Sequence, residues 1–305
     1  MKRKTVFLMG PTAIGKTETA ICLAKKINAE IISCDSMQIY KGMDIITSKP
    51  SAVLRRNVNH HLIDVIAPTK EYNVSMYRRD ALKKIKEVIK KGRIPLLAGG
   101  TGLYMSILID GIFTLEQKNK SIREGLYRLA ESRGNQYLHK RLQNIDPEAA
   151  LKIHPNDTRR IVRALEVFKN TGKPISFLQK QRKGLDQEYD VKIFCLNMPR
   201  EKLYKIIDGR VDKMFARGIV SEAKKLLKSR LGKTASSAIG LRELKGYFDG
   251  LYDLEEVKHL IKRNTRLYAK RQLTWFRKDK RINWINISDK EEPKEVAERL
   301  WKELC

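Results

Sequence analysis

The sequence GPTAIGKT at residues 10–17 constrains the fold of this chain more than any other feature. It matches GxxxxGK(S/T) at every fixed position, follows the apolar run TVFLM at residues 5–9, and leads into a helical pattern at residues 16–27. A strand that passes through a glycine-rich loop into a helix is the context that a phosphate-binding P-loop requires. Gly10 and Gly15 permit a backbone path that points consecutive N–H groups at phosphate oxygens. The motif therefore predicts a phosphate-binding loop.

Several groups of this loop have separate tasks in holding phosphate. Lys16 supplies a positive charge, and the Thr17 hydroxyl is placed to bind a Mg²⁺ ion that the phosphates share. The N-terminus of the following helix adds its dipole. The predicted phosphate-binding residues are Gly10, Thr12, Ala13, Gly15, Lys16 and Thr17.

Strands and helices alternate through the first hundred residues. Apolar runs predict further strands at residues 30–34, 61–66 and 94–100, and the clearest helical pattern between them lies at residues 74–91. Strands that alternate with helices of this length indicate βαβ units and a parallel sheet covered on both faces. The predicted fold class is α/β.

The character of the chain changes after about Gly111. Residues 120–186 are helical in pattern, polar and rich in Arg and Lys, whereas VKIFCLNM at residues 191–198 restores a strong strand. An all-helical block between two strand-bearing segments suggests an insertion into the α/β core. The predicted parts are a first section of the P-loop core at 1–112, a helical insertion domain at 113–187, and a second section of the core with a basic helical C-terminal region at 188–305.

The composition favours a polyanionic partner. Lys and Arg total 63 against 35 acidic residues, which gives a formal net charge of +28. A solvated lysine-rich surface is the simpler explanation, but several basic runs also contain arginines and aromatic residues, which favours nucleic acid. Four widely spaced cysteines form no CxxC pair, so a reducing, cytoplasmic location is expected. No apolar stretch approaches the ~18 residues that span a bilayer, so no membrane partner is expected.

Further polar groups are expected at the carboxyl edge of the sheet, where ligands bind in parallel α/β folds. The second predicted strand runs into CDSMQIY, which places Asp35 there as a candidate magnesium ligand, general base or helix cap. Ser36 and Gln38 follow it with hydrogen-bonding groups. The strand at residues 94–100 runs into GGTGLY and brings Thr101 to the same edge, although GGTG is also compatible with a plain tight turn.

These residues, with a series of longer motifs, resemble the tRNA dimethylallyltransferases, which modify the adenosine immediately 3′ of the anticodon. The motifs follow the family's order: GPTAIGKT, DSMQIYKGMDIITSKP, HHLID, GGTGLY, HPNDTRRIVRALEV, TGKP, AIGLREL and RLYAKRQLTWFR. They extend from Gly10 to Arg277, and the second and the last are long and specific. The resemblance implies a nucleotide-kinase-like P-loop α/β sheet flanked by helices, with an all-helical insertion domain.

The resemblance also implies the reaction. The P-loop would hold the diphosphate of dimethylallyl diphosphate rather than the phosphates of ATP. The dimethylallyl group would pass to N6 of adenosine 37 in tRNAs that read codons starting with U, with release of pyrophosphate. Mg²⁺ is the expected cofactor, with Thr17 as its protein ligand. The tRNA anticodon stem-loop is the expected macromolecular partner of a monomeric enzyme.

Catalytic roles follow from the same resemblance. Departure of the diphosphate needs cations and N–H donors where its charge builds up, which the loop, Lys16 and Arg210 would supply. Arg210 is also compatible with an ordinary arginine on a helix surface. Asp35 fits a general base for the adenine N6 amine. Thr101 resembles a threonine that contacts the substrate near the reacting base. The predicted catalytic residues are Asp35, Thr101 and Arg210.

Contacts to tRNA are predicted beside a flipped adenosine and along two basic helices. An enzyme that modifies a stacked base must flip it out and enclose it. In DTRRIVRALEVF, arginines lie opposite an apolar face, and residues 260–277 repeat the pattern, although a solvated basic face is the default for either helix alone. Arg123 corresponds to a family arginine near the tRNA. The predicted tRNA-binding residues are Asp35, Ser36, Met37, Gln38, Arg123, Arg159, Arg160, Ile161, Val162, Arg163, Arg263, Arg266 and Lys270.

Two other functions stay open on the residues alone. A P-loop small-molecule or nucleotide kinase would use ATP, but it gives no role to the basic helices. A nucleic-acid-binding NTPase would need a second magnesium aspartate after an apolar strand. Asp64 in HHLIDVI is the other candidate, and it lies inside its run.

Overall fold

The computed structural model describes residues 2–113 and 120–305, and the chain forms two compact units. Unit 1 combines the two ends of the chain, Met1–Ile109 and Leu185–Cys305, whereas unit 2 is the intervening segment Asp110–Gly184. Each unit has its own apolar core. Unit 2 is therefore an insertion into the sequence of unit 1.

A six-stranded parallel sheet forms the centre of unit 1. Its strands are β1 (Arg3–Met9), β2 (Ala29–Ser33), β3 (His60–His61), β4 (Ile94–Gly99), β5 (Tyr189–Asn197) and β6 (Asn283–Asn286). Their order is β3-β2-β4-β1-β5-β6, so β1 lies between β4 and β5. Residues 6–9 of β1 are completely buried, as expected for a parallel sheet that helices cover. The predicted α/β fold, with a P-loop parallel sheet flanked by helices, is confirmed.

Helices make up most of the remaining regular structure. The helices of the described residues are α1 (Lys16–Lys26), α2 (Ala52–Asn57), α3 (Val74–Lys90), α4 (Gly102–Ile109), α5 (Lys120–Arg133), α6 (Asn135–Ile145), α7 (Pro147–Lys152), α8 (Thr158–Thr171), α9 (Ile175–Lys180), α10 (Leu185–Glu188), α11 (Arg200–Ala216), α12 (Ile219–Leu226), α13 (Lys233–Ser236), α14 (Leu241–Phe248), α15 (Leu254–Phe276) and α16 (Pro293–Lys302). Within that part of the chain, none is long and apolar enough to cross a membrane.

The core of unit 1 joins α1 and α16 to the sheet. Leu23 of α1 and Ala297 of α16 are fully buried in one cluster with Leu8 and Leu196 of the central strands. A buried leucine of this kind contributes roughly 1.5–3 kcal/mol relative to an exposed one. This packing fixes the central strands, and with them the loops at the carboxyl edge of the sheet.

The strand predicted at residues 61–66 is largely wrong. The observed strand β3 contains only His60–His61, which pairs with β2. The chain then turns, because Leu62 and Asp64 have φ angles of 61° and 57°, in the left-handed region that extended strands do not use. The ammonium of Lys49 lies 2.6 Å from the Asp64 carboxylate and holds this turn. Asp64 therefore lies in a turn that an ion pair with Lys49 stabilises, and not at the end of a strand.

Unit 2 consists of helices α5 to α9 around a small core that includes Leu138 and Leu165. The apolar face predicted for α8 lies in this core. The insertion was predicted at residues 113–187, and the unit begins and ends three residues earlier. Residues 114–119 of the predicted range lie outside the described residues.

Candidate active site

A cavity of about 640 Å³ lies in unit 1 at the carboxyl edge of the sheet. The P-loop, the turn after β2 and helix α11 contribute Lys16, Asp35 and Arg210 to its wall. A second cavity of about 310 Å³ has a mainly apolar surface, to which Ile46 and Met214 contribute, although Arg271 also lines it. The residues common to both walls are Thr12, Asp35, Thr47, Ser48, Arg210 and Tyr268. The two cavities therefore adjoin; we call the first the charged cavity and the second, from its mainly apolar surface, the apolar cavity.

The P-loop turns sharply between β1 and α1. Gly15 has a φ angle of 86°, which a residue without a side chain adopts at little cost, and α1 begins at the next residue. The ammonium of Lys16 donates to the carbonyl of Pro11 at 2.5 Å, across the loop. All the predicted phosphate-binding residues line the cavity except Gly10, where the loop starts. The loop thus presents its backbone, a cation and the Thr17 hydroxyl to one space.

The Lys16 ammonium lies in surroundings that disfavour its charge. Desolvation by the cavity wall, together with the nearby Arg210 cation, lowers the pKa of Lys16 from 10.5 to about 8, against the opposing effect of the Asp35 carboxylate. An anion bound between the two cations would relieve both effects. The electrostatics of this wall therefore favour an anionic ligand.

Arg210 is held by neutral partners. Its Nη1 donates to Thr12 Oγ1 at 2.9 Å and its Nε donates to Ser48 Oγ at 2.9 Å. Desolvation lowers its pKa, so the surroundings do not compensate the charge fully. Arg210 is half-buried in the cavity wall, and this position replaces the alternative of an ordinary surface arginine.

Asp35 shapes the turn after β2 and also faces both cavities. Its Oδ1 accepts from the backbone N–H of Met37 at 2.8 Å and of Gln38 at 3.3 Å. Both of these hydrogen bonds use the same carboxylate oxygen, Oδ1. The helix cap considered for Asp35 is wrong, because a turn and not a helix follows it; Oδ1 holds this turn, and Oδ2 is left available to a ligand in the cavity.

Thr101 connects the ends of β2 and β4. Its backbone N–H donates to the carbonyl of Cys34 at 3.1 Å, and its Oγ1 accepts from the N–H of Ser36 at 3.1 Å. A side chain at Gly99 would lie 2.1 Å from the Cys34 carbonyl oxygen, so the two strand ends are in direct contact. The sequence GGTG is thus a tight turn that also fixes Thr101 beside the Asp35 turn.

The loop that follows the Asp35 turn is anchored by a helix that is distant in sequence. The carboxylate of Glu222, on α12, accepts from the backbone N–H groups of Asp44, Ile45 and Ile46 at 2.8–3.0 Å. This loop delivers Ser48 to Arg210. Sequence reasoning did not identify Glu222, because nothing local to it indicates a partner 176 to 178 residues away.

Helix α15 contributes several cavity residues that were not predicted for the site, among them Tyr268 and Gln272. Tyr268 lines both cavities, and burial raises the pKa of its phenol. Gln272 lines the charged cavity. The pattern at residues 260–277 predicts an apolar face made of Ile261, Tyr268 and Trp275, but Trp275 is 38% exposed, so this face is not continuously buried. The motif RLYAKRQLTWFR, which contains Tyr268 and Gln272, was the available signal.

Comparison with known proteins relates this arrangement to one family. The profile of the family described as IPP transferase matches residues 38–279, and that described as isopentenyl transferase matches residues 3–64. The chain belongs to the IPP transferase family. It is 46% identical over 302 residues to the tRNA dimethylallyltransferase of Carboxydothermus hydrogenoformans, over 98% of this chain and 97% of that protein. The enzyme of the same name from Thermotoga maritima is also 46% identical, over the same shares of both chains.

Solved structures give the same relation for this IPP transferase family member. The full-length tRNA isopentenylpyrophosphate transferase of Bacillus halodurans is 39% identical, with a TM-score of 0.72 over 100% of this chain and 97% of that one. A eukaryotic dimethylallyltransferase acting on tRNA is 28% identical, with a TM-score of 0.83 over 98% of this chain and 77% of that one. The resemblance to this family that the motifs indicated is confirmed.

The residues predicted to contact tRNA in unit 1 lie in two places. Ser36 and Met37 line the apolar cavity, and Gln38 lines the charged one. On α15, Arg263 and Lys270 are exposed. Arg266 differs from them, because its guanidinium forms an ion pair with Asp208 at 2.7 Å.

The residues predicted to contact tRNA in unit 2 are partly corrected. Ile161 and Val162 are 0% and 1% exposed in the core, so their side chains are not available to RNA. Arg123 and Arg163 both bind the buried carboxylate of Glu166, at 2.8 and 2.9 Å. Ile161 and Val162 therefore have a structural role. The positive charges of Arg123 and Arg163 are partly neutralised by Glu166. The two remaining arginines of the predicted set are Arg159, which is exposed, and Arg160, which pairs with Asp157.

Proposed function

We propose that this member of the IPP transferase family transfers the dimethylallyl group of dimethylallyl diphosphate to N6 of adenosine 37 in tRNAs that read codons starting with U, releasing pyrophosphate. The observation that carries the proposal is one cavity in which two cations, Lys16 and Arg210, face the carboxylate of Asp35. Relatives named tRNA dimethylallyltransferase, which match nearly the whole chain, support it.

The P-loop end of the cavity suits the diphosphate. The N-terminus of α1 and the loop amides favour an anion, and Lys16 and Arg210 add positive charge. As the allylic C–O bond breaks, negative charge grows on the departing oxygens. Fixed cations and N–H donors stabilise that charge more in the transition state than in the ground state. The P-loop therefore accelerates departure of pyrophosphate.

The other wall of the cavity suits the acceptor base. The adenine N6 amine is a poor nucleophile, because its lone pair is delocalised into the ring. Oδ2 of Asp35 accepts one N6 proton as the nitrogen attacks, while Oδ1 stays bound to the turn. Thr101 holds the same turn through the N–H of Ser36. Asp35 is the general base in this mechanism, and Thr101 keeps it in place.

The apolar cavity suits the dimethylallyl chain. Its wall includes Ile46, Met214 and Ile261, and it adjoins the charged cavity at Arg210. Each CH₂ group that passes from water into an apolar cavity contributes about 0.8 kcal/mol to the free energy of binding. The branched chain would lie here with its diphosphate directed at the P-loop.

Mg²⁺ is the proposed cofactor. Across the described residues, no group of three or more His, Cys, Asp or Glu side chains is placed to hold a metal ion. Magnesium usually binds through one or two protein oxygens together with phosphates and water, and the Thr17 hydroxyl in the cavity wall fits that pattern. Thr17 would hold the ion, which neutralises charge on the diphosphate when bound.

The proposed macromolecular partner is the tRNA anticodon stem-loop. Helix α15 contributes Tyr268 to the cavity and presents Arg263 and Lys270 to solvent, so a bound RNA loop would meet cations near the reacting base. A net charge of +28 favours such a polyanion. The monomeric state and the cytoplasmic location stay predictions.

Removal of these two cations is expected to weaken tRNA binding. The double variant Arg263→Ala/Lys270→Ala should reduce the slope of log K against log salt concentration by roughly 0.7–0.9 for each phosphate that the helix no longer neutralises. Binding to unmodified tRNA is measured at several salt concentrations. The control Lys83→Ala/Lys86→Ala removes the same charge from exposed positions on α3 and should leave the slope nearly unchanged. Equal slopes in the two double variants would contradict RNA contact by α15.

The reaction is tested by incubating the protein with Mg²⁺, unmodified tRNA and radiolabelled dimethylallyl diphosphate. Label is expected in tRNA nucleosides as N6-dimethylallyladenosine, independently of ATP. A parallel incubation with ATP examines the kinase and NTPase alternatives. ATP turnover without transfer of label would contradict the proposed function, and would mean that the loop holds nucleotide phosphates.

A further inference from the structure

Gln272 uses both ends of its amide to connect two separate loops. It lies on α15, is 6% exposed, and its Oε1 accepts from the backbone N–H of Thr12 at 2.9 Å. Its Nε2 donates to the carbonyl of Gly100 at 2.9 Å. The partners lie 260 and 172 residues from it in sequence, one in the P-loop and one in the turn after β4.

Each of these partners continues into one half of the active site. The hydroxyl of Thr12 accepts from Arg210, so Gln272 and Arg210 hold this loop residue by its backbone and by its side chain. Gly100 precedes Thr101, whose hydroxyl accepts from Ser36 beside the general base. The buried amide of Gln272 thus connects the loop proposed to bind the diphosphate with the turn proposed to face the acceptor base.

The backbone around Gly100 is shaped to admit this side chain. A Cβ atom on Gly100 would lie 2.1 Å from Gln272 Nε2 and 3.4 Å from the Gly10 carbonyl oxygen. Any side chain at this position would therefore displace the amide. The glycine leaves the space that the contact from α15 occupies.

We propose that Gln272 is a positioning residue, which fixes the separation between the diphosphate-binding loop and the turn that carries the general base. The proposal rests on the proposed function. Transfer requires the departing diphosphate and the adenine nitrogen to lie on opposite sides of one carbon, with Asp35 within reach of the N6 proton. Both ends of the Gln272 amide are bonded to the loops that hold these groups, so Gln272 sets the distance between the loops.

The variant Gln272→Met tests this role, because methionine fills a similar volume and makes neither hydrogen bond. We expect kcat for transfer to fall by about 10–100-fold, while KM for the donor and Kd for pyrophosphate change by about threefold or less, since misplacement lowers the rate of the bound complex. Thr274→Ala on the same helix is the control and should keep wild-type kinetics. Thermal unfolding is followed for both variants, to verify that the folded enzyme is compared.

A second pair of variants tests the contact itself. Gly100→Ala should lower kcat in the wild-type background by displacing Gln272, and it should cost much less in a Gln272→Ala background, where the obstacle is gone. Additive losses in this cycle would overturn the proposal. So would an unchanged kcat in Gln272→Met, or a loss of kcat matched by a loss of pyrophosphate affinity. Transfer by the wild-type enzyme is measured first, so a failure of the proposed function is seen separately.

Discussion

The variant Asp35→Asn is expected to transfer the dimethylallyl group about 10²–10⁴-fold more slowly than the wild-type enzyme, which is the range that general bases contribute. Asparagine keeps an oxygen for the N–H groups of Met37 and Gln38, so the turn persists. It cannot accept the N6 proton as a carboxylate does. Single-turnover transfer and tRNA affinity are measured on the same preparation, and affinity is expected to stay within a few-fold of wild type.

Asp35→Ala provides the comparison. This variant removes both the base and the turn contacts, so it should lose transfer and also bind tRNA less well than Asp35→Asn. Turnover at the wild-type rate in Asp35→Asn would exclude Asp35 as the base and reduce its role to holding the turn after β2.

The variant Arg210→Ala is expected to lower kcat by about 10²–10³-fold, the usual cost of removing one donor to a developing anion. Pyrophosphate affinity should also fall, because the cavity wall then lacks the cation that lies near Lys16, although Lys49 and Arg217 still line it. Arg210→Lys should recover little, since an ammonium cannot bind Thr12 and Ser48 in the same planar geometry. Both variants are assayed for transfer and for pyrophosphate binding.

Lys213→Ala is the matched control for Arg210. Lys213 lies on the same helix, is exposed and lines neither cavity. It should retain wild-type kcat and pyrophosphate affinity. An Arg210→Ala variant that behaves like this control would return Arg210 to a structural role in holding the P-loop.

The site residues that come directly after a strand were predictable from the sequence. Strand ends of a parallel sheet meet at one edge, so Lys16, Asp35 and Thr101 were expected together once the strands were recognised. Arg210 came from the resemblance instead. The structure brings all of them to the same cavity or to its supporting turn.

The remainder depends on contacts between distant parts of the chain. Gln272 and Glu222 act through partners more than 170 residues away, which no local pattern reveals. The basic helix α8 was predicted from its period, but the period does not show that Arg163 shares a buried carboxylate with another helix. The strand predicted after His61 was wrong, because an apolar run gives no sign of single residues with left-handed backbone angles.

The central position of β1 between β4 and β5 has a consequence for biosynthesis. One neighbour of β1 is encoded about 90 residues later and the other about 190, beyond the whole of unit 2. A nascent chain that has not yet delivered β5 exposes one edge of β1, four residues of which are completely buried in the finished fold, and this edge is an aggregation hazard. We therefore expect unit 2, whose segment is continuous in sequence, to complete its fold on the ribosome before the sheet of unit 1 is complete.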